Sequence, residues 1–424
     1  MTKRFFGWWI TAAAFFTFGI AVGIPYYGGP FFYDYYKKTF GWTTTEVTFG
    51  FPLAALLTLW VGPLLAHRFS PRMMILIGTA FTGVAFIGFG MMNGSLPLYY
   101  LLWFLYIIGY IFSGPIPHQV IVSQWFRRLR GKAMALVYLG VGVFGGISAK
   151  FIAAPLTRGY GFRVALIVFG ACMVLAWPIA IFLMKDKPSD LGQFPDGEEL
   201  PSDTKPAIPP RPFKEMLSQP AFWLLMLGSV CSIGSIGSIN QHMKLVFLEQ
   251  GFKNQAALDA LFGNATLCIL FSSIGGRLIM GYLADKYNKK VVMTITYILV
   301  AGTIPLLFLV TPQNPEYVYV FAVLFGFGMG ADYMLIPLMA AERFGVNSLA
   351  RAMAVILPAD TIGQTWCPLL ISKLHDSVGN YDLALKLVFV TSFVGAAAIG
   401  LLPKVNKDHE ALQLQDAERA AAKR

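Results

Sequence analysis

Long runs of apolar residues dominate the pattern of this chain, and each has about the length of a membrane-crossing helix. An α-helix needs about 20 apolar residues to cross roughly 30 Å of hydrocarbon. The runs that meet this requirement lie near 8–33, 43–66, 73–94, 97–122, 132–156, 162–184, 221–247, 257–284, 291–311, 317–340, 350–374 and 383–403. The pattern therefore predicts an all-α membrane protein with 12 transmembrane helices.

A polar segment rich in Pro, Asp and Glu separates the first six runs from the last six. Its composition is typical of a linker. We therefore expect four parts, an N-terminal six-helix bundle, a cytoplasmic linker, a C-terminal six-helix bundle and a cytoplasmic tail, at 1–184, 185–220, 221–403 and 404–424. The tail is charged and rich in Ala, and we interpret it as a short surface helix.

Composition narrows the class of protein further. The chain is 56% hydrophobic and only 13% charged, which does not suit a water-soluble surface. Its formal charge of +11 could indicate nucleic-acid binding, but the basic residues lie in short clusters between apolar runs rather than along one polar face. The lipid bilayer, and not nucleic acid, is the partner that this composition indicates.

The distribution of Lys and Arg predicts the orientation in the membrane. Basic residues concentrate in the loops on one side, at Lys3, Arg4, Arg68, Arg72, Arg127, Arg128, Arg130, Lys132, Lys286, Lys289, Lys290, Arg343 and Arg351. Cytoplasmic loops carry such an excess. We therefore expect a multi-pass protein of the cell (inner) membrane with both termini in the cytoplasm, acting as a monomer.

A loop motif repeats once in each half. The segment 281–290, GYLADKYNKK, follows the eighth run, and a degraded copy, PLLAHRFSPR, stands at the corresponding place in 63–72. Such a repeat indicates duplicated six-helix units. The motif resembles the loop signature of the major facilitator superfamily, although His67 replaces its acidic residue and Ser70 its glycine.

Three further segments resemble the monocarboxylate transporter family and its bacterial relatives, including oxalate/formate antiporters. They are FFGWW with PYYGGPFF in the first helix, WFRRLRGKAMALVYLGVGVFGG at the fifth, where Ala135 replaces a usual Gly, and KPSDLGQFPDG after the sixth. The resemblance implies two bundles that rock about one central site. It also implies that helices 5 and 8 face each other, at Gly142 and Gly146 in helix 5.

Ionisable residues inside apolar spans cost about 2.5 to 3.5 kcal/mol each to insert, so each needs a partner or water. Those that we place inside the spans are Lys150, His118, His242, Arg277, Asp332 and Asp360. Arg277 offers a planar fork of donors that suits a carboxylate. It either forms a structural ion pair with Asp332 or Asp360, or binds the anion, and the resemblance implies the second role.

Proton coupling by the family's usual route is not expected. The resemblance implies an Asp one turn before this Arg and a Lys after the first-helix Pro, but Ser273 and Tyr26 occupy these positions. The replacement candidates are residues that could titrate within the spans: His118, His242, Asp332 and Asp360. For the two histidines a structural hydrogen-bonding role is the alternative.

Other polar residues are candidates for substrate binding beside Arg277. Tyr26 and Tyr333 could hydrogen-bond a carboxylate, with packing as the alternative for Tyr333. Asn240 could do the same, or belong to a solvated helix end. Lys150 could bind the incoming anion or neutralise an acidic residue.

These observations predict a secondary transporter of small monocarboxylates such as lactate or pyruvate, driven by a proton or a counter-anion. An oxalate-type exchanger is the alternative, and it would need a second cation at the site, for which Lys150 is the candidate. A transporter-like sensor is a third reading. The His, Cys, Asp and Glu residues lack catalytic or metal-binding spacing, so we expect no enzyme activity, metal or cofactor.

Overall fold

The computed structural model describes residues 5–58, 69–126, 129–197, 212–345 and 348–403, which are almost entirely helical. Eleven helices in these ranges are long and apolar enough to cross a membrane. With the described part of the second helix, the transmembrane helices are α1 Gly7–Phe40, α2 Thr44–Thr58, α3 Pro71–Met91, α4 Leu96–Trp125, α5 Arg130–Tyr160, α6 Phe162–Leu183, α7 Pro220–Glu249, α8 Gln255–Lys286, α9 Lys289–Leu309, α10 Tyr317–Phe344, α11 Leu349–Val378 and α12 Asp382–Gly400. The predicted all-α architecture is confirmed.

Some predictions concern residues outside the described ranges. They are the surface helix at 404–424, the replacement at His67 and the centre of the linker. The other altered position of the loop motif, Ser70, is described, and its hydroxyl accepts a hydrogen bond from the main-chain nitrogen of Met73 at 3.3 Å. Ser70 therefore caps the start of α3.

Helix α1 is longer than the predicted run 8–33 because two irregular turns carry it past its prolines. A π-helical turn at Gly19–Gly23 precedes Pro25, and a 3-10 turn at Gly29–Phe32 accommodates Pro30. Such turns relieve the loss of the proline N–H within a continuing helix. The extension places Asp34 inside the transmembrane helix rather than beyond its end.

At one side of the bundle, the start of α1 meets the described part of the linker, and the residues after α12 meet the start of α9. The main-chain nitrogen of Phe6 donates to Oε1 of Gln193 in the linker at 3.0 Å. At the start of α9, Lys290 Nζ donates to the main-chain oxygen of Leu402 at 2.6 Å. We call this side the linker side, and the side of the α1–α2, α7–α8 and α11–α12 loops the opposite side.

Helices α8 and α10 approach so closely that only glycine fits at their contact. A Cβ atom on Gly276 would lie 2.0 Å from the main-chain oxygen of Phe327, and one on Gly330 would lie 2.0 Å from that of Ser273. Small residues permit such backbone contact between membrane helices. The contact fixes α8 against α10 beside Arg277.

Replacing Gly276 with Ala should destabilise the protein, because the new methyl group would overlap the backbone of α10. Overpacking of this kind costs about 1 to 3 kcal/mol, and we expect a lower melting temperature of the purified protein in detergent. Gly275→Ala is the matched control, since a Cβ there has no atom within 4 Å. Equal melting temperatures for the two variants would contradict the packing argument.

Candidate functional site

Three buried charged residues join the two halves at the opposite side. Lys244 of α7 places Nζ 2.8 Å from Oδ1 of Asp34 in α1 and 2.8 Å from Oδ1 of Asp259 in α8. The side chains of Lys244 and Asp34 are fully buried. We call these residues the closing triad, since Asp34 belongs to one half and its partners to the other.

Neighbouring groups satisfy the charges of the closing triad. Lys244 Nζ donates to the main-chain oxygen of Phe31 at 2.5 Å and lies 3.7 Å from the centre of the Phe31 ring. The Tyr35 hydroxyl donates to Asp259 Oδ2 at 2.5 Å. A buried ion pair is favourable only when such additional hydrogen bonds are present.

A second set of contacts closes the same side between α2 and α11. The hydroxyls of Thr48 and Ser372 lie 2.5 Å apart, and the main-chain nitrogen of Thr45 donates to Asp376 Oδ2 at 2.7 Å. Each contact pairs a residue of the N-terminal half with one of the C-terminal half. Together with the closing triad, they seal the opposite side.

Sequence reasoning missed the closing triad. The ionisable residues assigned to the spans did not include Lys244 or Asp259, although these positions fall within the predicted runs 221–247 and 257–284. Asp34 was placed just beyond the first helix. The energetic criterion that selected Arg277 applies equally to Lys244, so complete use of that criterion would have identified the lysine.

The exposure of Tyr333 indicates an internal cavity between the halves. Tyr333 of α10 is 38% exposed, although Tyr27 and Tyr110 of the other half are its electrostatic neighbours. A side chain that faces the other half and is still exposed borders internal space rather than lipid. Because contacts between the halves close the opposite side, we infer that this space opens toward the linker side.

Arg277 belongs to the wall of this cavity. It is half-buried, and its Nη1 donates to the main-chain oxygen of Tyr138 in α5 at 3.3 Å. The phenol groups of Tyr27, Tyr138 and Tyr333 are its electrostatic neighbours. The structure thus surrounds a permanent cation with neutral hydroxyl-bearing side chains from both halves.

The alternative ion pair between Arg277 and Asp332 or Asp360 is not formed among the residues that the structure describes. Asp332 accepts a hydrogen bond from Ser232 at 2.7 Å, and Asp360 accepts one from Ser229 at 2.6 Å. Both serines lie on α7, so the carboxylates face α7 rather than α8. Within the described ranges, neither aspartate forms an ion pair with a basic residue.

Two amides orient tyrosines of the cavity. Gln364 of α11 donates through Nε2 to the Tyr333 hydroxyl at 2.7 Å, and Gln119 of α4 donates to the Tyr138 hydroxyl at 2.7 Å. Each hydroxyl therefore keeps its own proton free to donate. A carboxylate beside Arg277 is the kind of acceptor that these donors suit.

Tyr26 lies beside the tyrosines of the cavity, and Asn240 contacts α10. The Tyr26 and Tyr27 ring centres are 5.0 Å apart, and Tyr333 is an electrostatic neighbour of Tyr26. Tyr26 is 8% exposed and borders a small cavity that also touches Gln241. The Asn240 amide contacts the sulfur of Met329 at 3.6 Å. Of the predicted substrate-binding residues, Tyr333 is a direct electrostatic neighbour of Arg277, and Tyr26 adjoins Tyr333 and Tyr27.

Lys150 is also remote from Arg277. A Cβ on Gly263 of α8 would lie 3.0 Å from the Lys150 Cα atom. Gly263 precedes Arg277 by 14 residues of continuous helix, which corresponds to about 21 Å at 1.5 Å per residue. The structure therefore does not place the two cations at one site.

Both buried histidines have hydrogen-bond partners at each ring nitrogen. His118 contacts the Thr17 hydroxyl at 2.9 Å and the main-chain oxygen of Gly114 at 2.7 Å. His242 contacts the Tyr381 hydroxyl and the main-chain oxygen of Pro368, each at 2.8 Å. These contacts favour the structural alternative for both residues.

Helices α5 and α8 face each other across the two halves, as the resemblance implied. A Cβ on Gly142 would lie 3.6 Å from the main-chain oxygen of Leu270, and one on Gly146 would lie 3.5 Å from Leu267. These are ordinary van der Waals distances. At these two positions the interface is less tight than the α8–α10 contact, whereas at Gly263 the backbone of α5 comes closer.

Comparison with known proteins identifies the family. A family model described as the Major Facilitator Superfamily matches residues 5–279 and 259–423. The chain therefore belongs to this superfamily and is a multi-pass membrane transporter. The family predicted from the loop motif is confirmed.

The relatives share about a quarter of their residues with this chain. Monocarboxylate transporter 10 of Rattus norvegicus is 23% identical, with 94% of this chain and 79% of that protein covered. The MFS transporter asaE of Aspergillus flavus is 27% identical, with 88% and 80% covered. The uncharacterized MFS-type transporter YhjX of Escherichia coli is 25% identical, but the match covers only 57% of this chain and 56% of that protein.

The fold also matches solved structures. A bacterial homolog to the human lysosomal transporter Spinster, in an inward-facing and unoccupied conformation, aligns with a TM-score of 0.65 and 14% identity. The alignment covers 94% of this chain and 95% of the other. At this identity the likeness shows the fold alone.

Breaking the closing triad should open the opposite side. Lys244→Gln leaves two buried carboxylates without their cation, which costs about 3 to 5 kcal/mol. A cysteine at Gly29, where a Cβ meets no atom within 4 Å, would report the opening in a background without the four native cysteines. We expect faster labelling of this cysteine by an impermeant maleimide applied from the opposite side.

Lys289→Gln is the matched control for this labelling experiment. Lys289 pairs with Glu342 at 3.5 Å within the C-terminal half, so its loss should leave the labelling rate unchanged. An unchanged rate in Lys244→Gln would show that the triad does not hold the two halves together.

Proposed function

We propose that this chain carries small monocarboxylates across the membrane by alternating access. The observation that supports the proposal is Arg277, a cation in a cavity without an acidic ion-pair partner among the described residues. A buried charge without a counter-charge is unfavourable. An anionic substrate would supply the missing charge, and monocarboxylate transporters are among the relatives.

Each of four cavity residues would make a different contact with such an anion. Arg277 would hold both carboxylate oxygens through its planar fork, which a lysine cannot reproduce. Tyr333 and Tyr138, each oriented by an amide, would donate to the carboxylate or to a neighbouring oxygen of the substrate. Tyr27 would complete the wall from the N-terminal half.

Transport would proceed by rocking of the two six-helix bundles. In the state that we infer from the closed opposite side, the cavity opens to the linker side, and the excess of basic residues predicts that this side is the cytoplasm. Opening to the other side requires the closing triad to separate. The smooth contact between α5 and α8, at Gly142 and Gly146, suits movement of one half against the other.

The oxalate-type exchanger has less support from this geometry. A dicarboxylate needs a second cation at the site, and Lys150 lies about 21 Å from Arg277 along α8. The remaining question for a monocarboxylate carrier is its driving ion, either a co-transported proton or a counter-anion. Uptake into proteoliposomes also separates a carrier from a sensor, because a sensor moves no substrate.

Replacing Arg277 with Ala should abolish uptake of labelled lactate or pyruvate into proteoliposomes. Truncating one partner of a buried charge pair removes about 2 to 5 kcal/mol of binding free energy. Arg277→Lys should recover little, since a point charge replaces a fork. Transport by Arg277→Ala at a near-parental rate, with equal protein reconstituted, would contradict the assignment.

Lys150→Ala provides the matched control for the loss of a membrane cation. Because Lys150 is remote from the cavity, the variant should transport the monocarboxylate at a rate close to that of the parent. If Lys150→Ala lost transport and Arg277→Ala kept it, Lys150 rather than Arg277 would be the anion-binding residue. The oxalate-type exchanger would then be the better-supported function.

A further inference from the structure

Two buried carboxylates meet inside the C-terminal half, away from Arg277. Asp332 of α10 is fully buried and Asp360 of α11 is 6% exposed. Their hydrogen-bond donors, Ser232 and Ser229, are three residues apart on α7. Residues at this spacing lie about 5 to 6 Å apart on one helix face, so the two carboxylates lie within about one helical turn of each other.

Two buried oxygen atoms of this group have no hydrogen bond of ordinary geometry to any described residue. They are Oδ1 of Asp332 and the hydroxyl of Tyr297 in α9. Tyr297 is fully buried, and the carboxylates of Asp332 and Asp360 are its electrostatic neighbours. The Tyr297 hydroxyl interacts with the Asp332 carboxylate, but without ordinary hydrogen-bond geometry, so this buried carboxylate oxygen is incompletely satisfied unless a further group binds beside it.

The charges around these carboxylates are negative or neutral in the part of the chain that the structure describes. The titratable groups facing the site are Tyr297 of α9, Cys231 of α7 beside Tyr297, and Tyr333 of α10. Helix α12 contributes Gly395, which packs against Cys231. The missing partner is therefore a cation.

The two carboxylates are connected to the cavity through their own helices. Tyr333 follows Asp332 directly, and Gln364 lies one helical turn after Asp360. Gln364 donates to the Tyr333 hydroxyl at 2.7 Å. Helices α10 and α11 thus present the two carboxylates to α7 and α9. The same helices present the hydrogen-bonded pair of Tyr333 and Gln364 to the neighbourhood of Arg277.

We propose that Asp332, Asp360, Ser229, Ser232 and Tyr297 form the binding site of a co-transported monovalent cation, a proton or Na⁺. All five residues supply oxygen atoms, which suit either ion. The site rests on the proposed carboxylate transport and gives it a driving ion. Cation binding reduces the negative charge on α10 and α11, while the carboxylate neutralises Arg277 on α8.

The test compares two modes of transport in proteoliposomes that contain the full chain. Accumulation of labelled lactate is measured with a pH gradient in Na⁺-free buffer and, separately, with a Na⁺ gradient at constant pH. Exchange of internal for external lactate is measured without a gradient. We expect one gradient to drive accumulation by the parent, which identifies the ion.

Asp332→Asn and Asp360→Asn should each lower gradient-driven accumulation by about tenfold or more, a factor within the usual range of coupling between two sites. Both should keep lactate exchange, because Arg277 and its tyrosines are unchanged. Asp360→Glu, which keeps the carboxylate, should retain part of the accumulation. Asp382→Asn, at the exposed start of α12, is the control and should behave like the parent.

Several outcomes would overturn the cation site without affecting carboxylate transport. The parent would exchange lactate but respond to neither gradient, or both Asn variants would keep full accumulation. A parent that neither exchanges nor accumulates lactate would instead contradict the proposed substrate.

A binding measurement covers variants that lose all transport. The melting temperature of the purified parent should change with the identified ion, either with pH or with Na⁺ in place of choline. Tyr297→Phe, which keeps both carboxylates and removes the hydroxyl that faces Asp332, should reduce this change. An ion-dependent shift that stays the same in Tyr297→Phe, Asp332→Asn and Asp360→Asn would place the cation elsewhere.

Discussion

A charge inside the hydrocarbon region needs either a counter-charge or water, and this requirement governs how the two halves meet. Lys244 has no exposed side-chain surface, so it depends on carboxylates from two other helices. One of them, Asp34, belongs to the N-terminal half. Separation of the halves at the opposite side would uncover three charges at once, and this is favourable only if water enters as they part. The opposite side is therefore either closed, with the three charges of the closing triad paired, or open, with these charges hydrated.

The same requirement gives Arg277 a different role from Lys244. Arg277 is half-buried and faces tyrosines rather than carboxylates, so water or an anion in the cavity has to complete its surroundings. Asp332 and Asp360 present the reverse case, because they have hydroxyl donors but no cation among the described residues. The C-terminal half thus holds a cation, Arg277, and two carboxylates, Asp332 and Asp360, that do not pair with each other within the described ranges. An ion that binds to either group changes the electrostatic potential at the other.

The sequence predicted the fold well because the length of an apolar run alone decides whether a helix crosses the membrane. It predicted helix ends less well, as in α1, where π and 3-10 turns extend the helix beyond the prolines. Arg277 was found because one residue type in an apolar run is sufficient signal. The sequence did not predict where Lys150 and Asp332 lie relative to Arg277. The helix face and the membrane depth of a side chain depend on how its helix packs against other helices.

Helix α8 connects the parts of this arrangement. It runs without proline from Gln255 to Lys286 and carries Asp259 of the closing triad and Arg277 of the cavity, about 27 Å apart along its axis. Gly276 holds it against α10, and Gly142 of α5 leaves it a smooth surface toward the other half. A continuous helix bound tightly on one side and loosely on the other moves as a unit with α10. In the proposed mechanism, a displacement of Arg277 toward a bound anion would be transmitted to Asp259, where it would act on the ion pairs that close the opposite side.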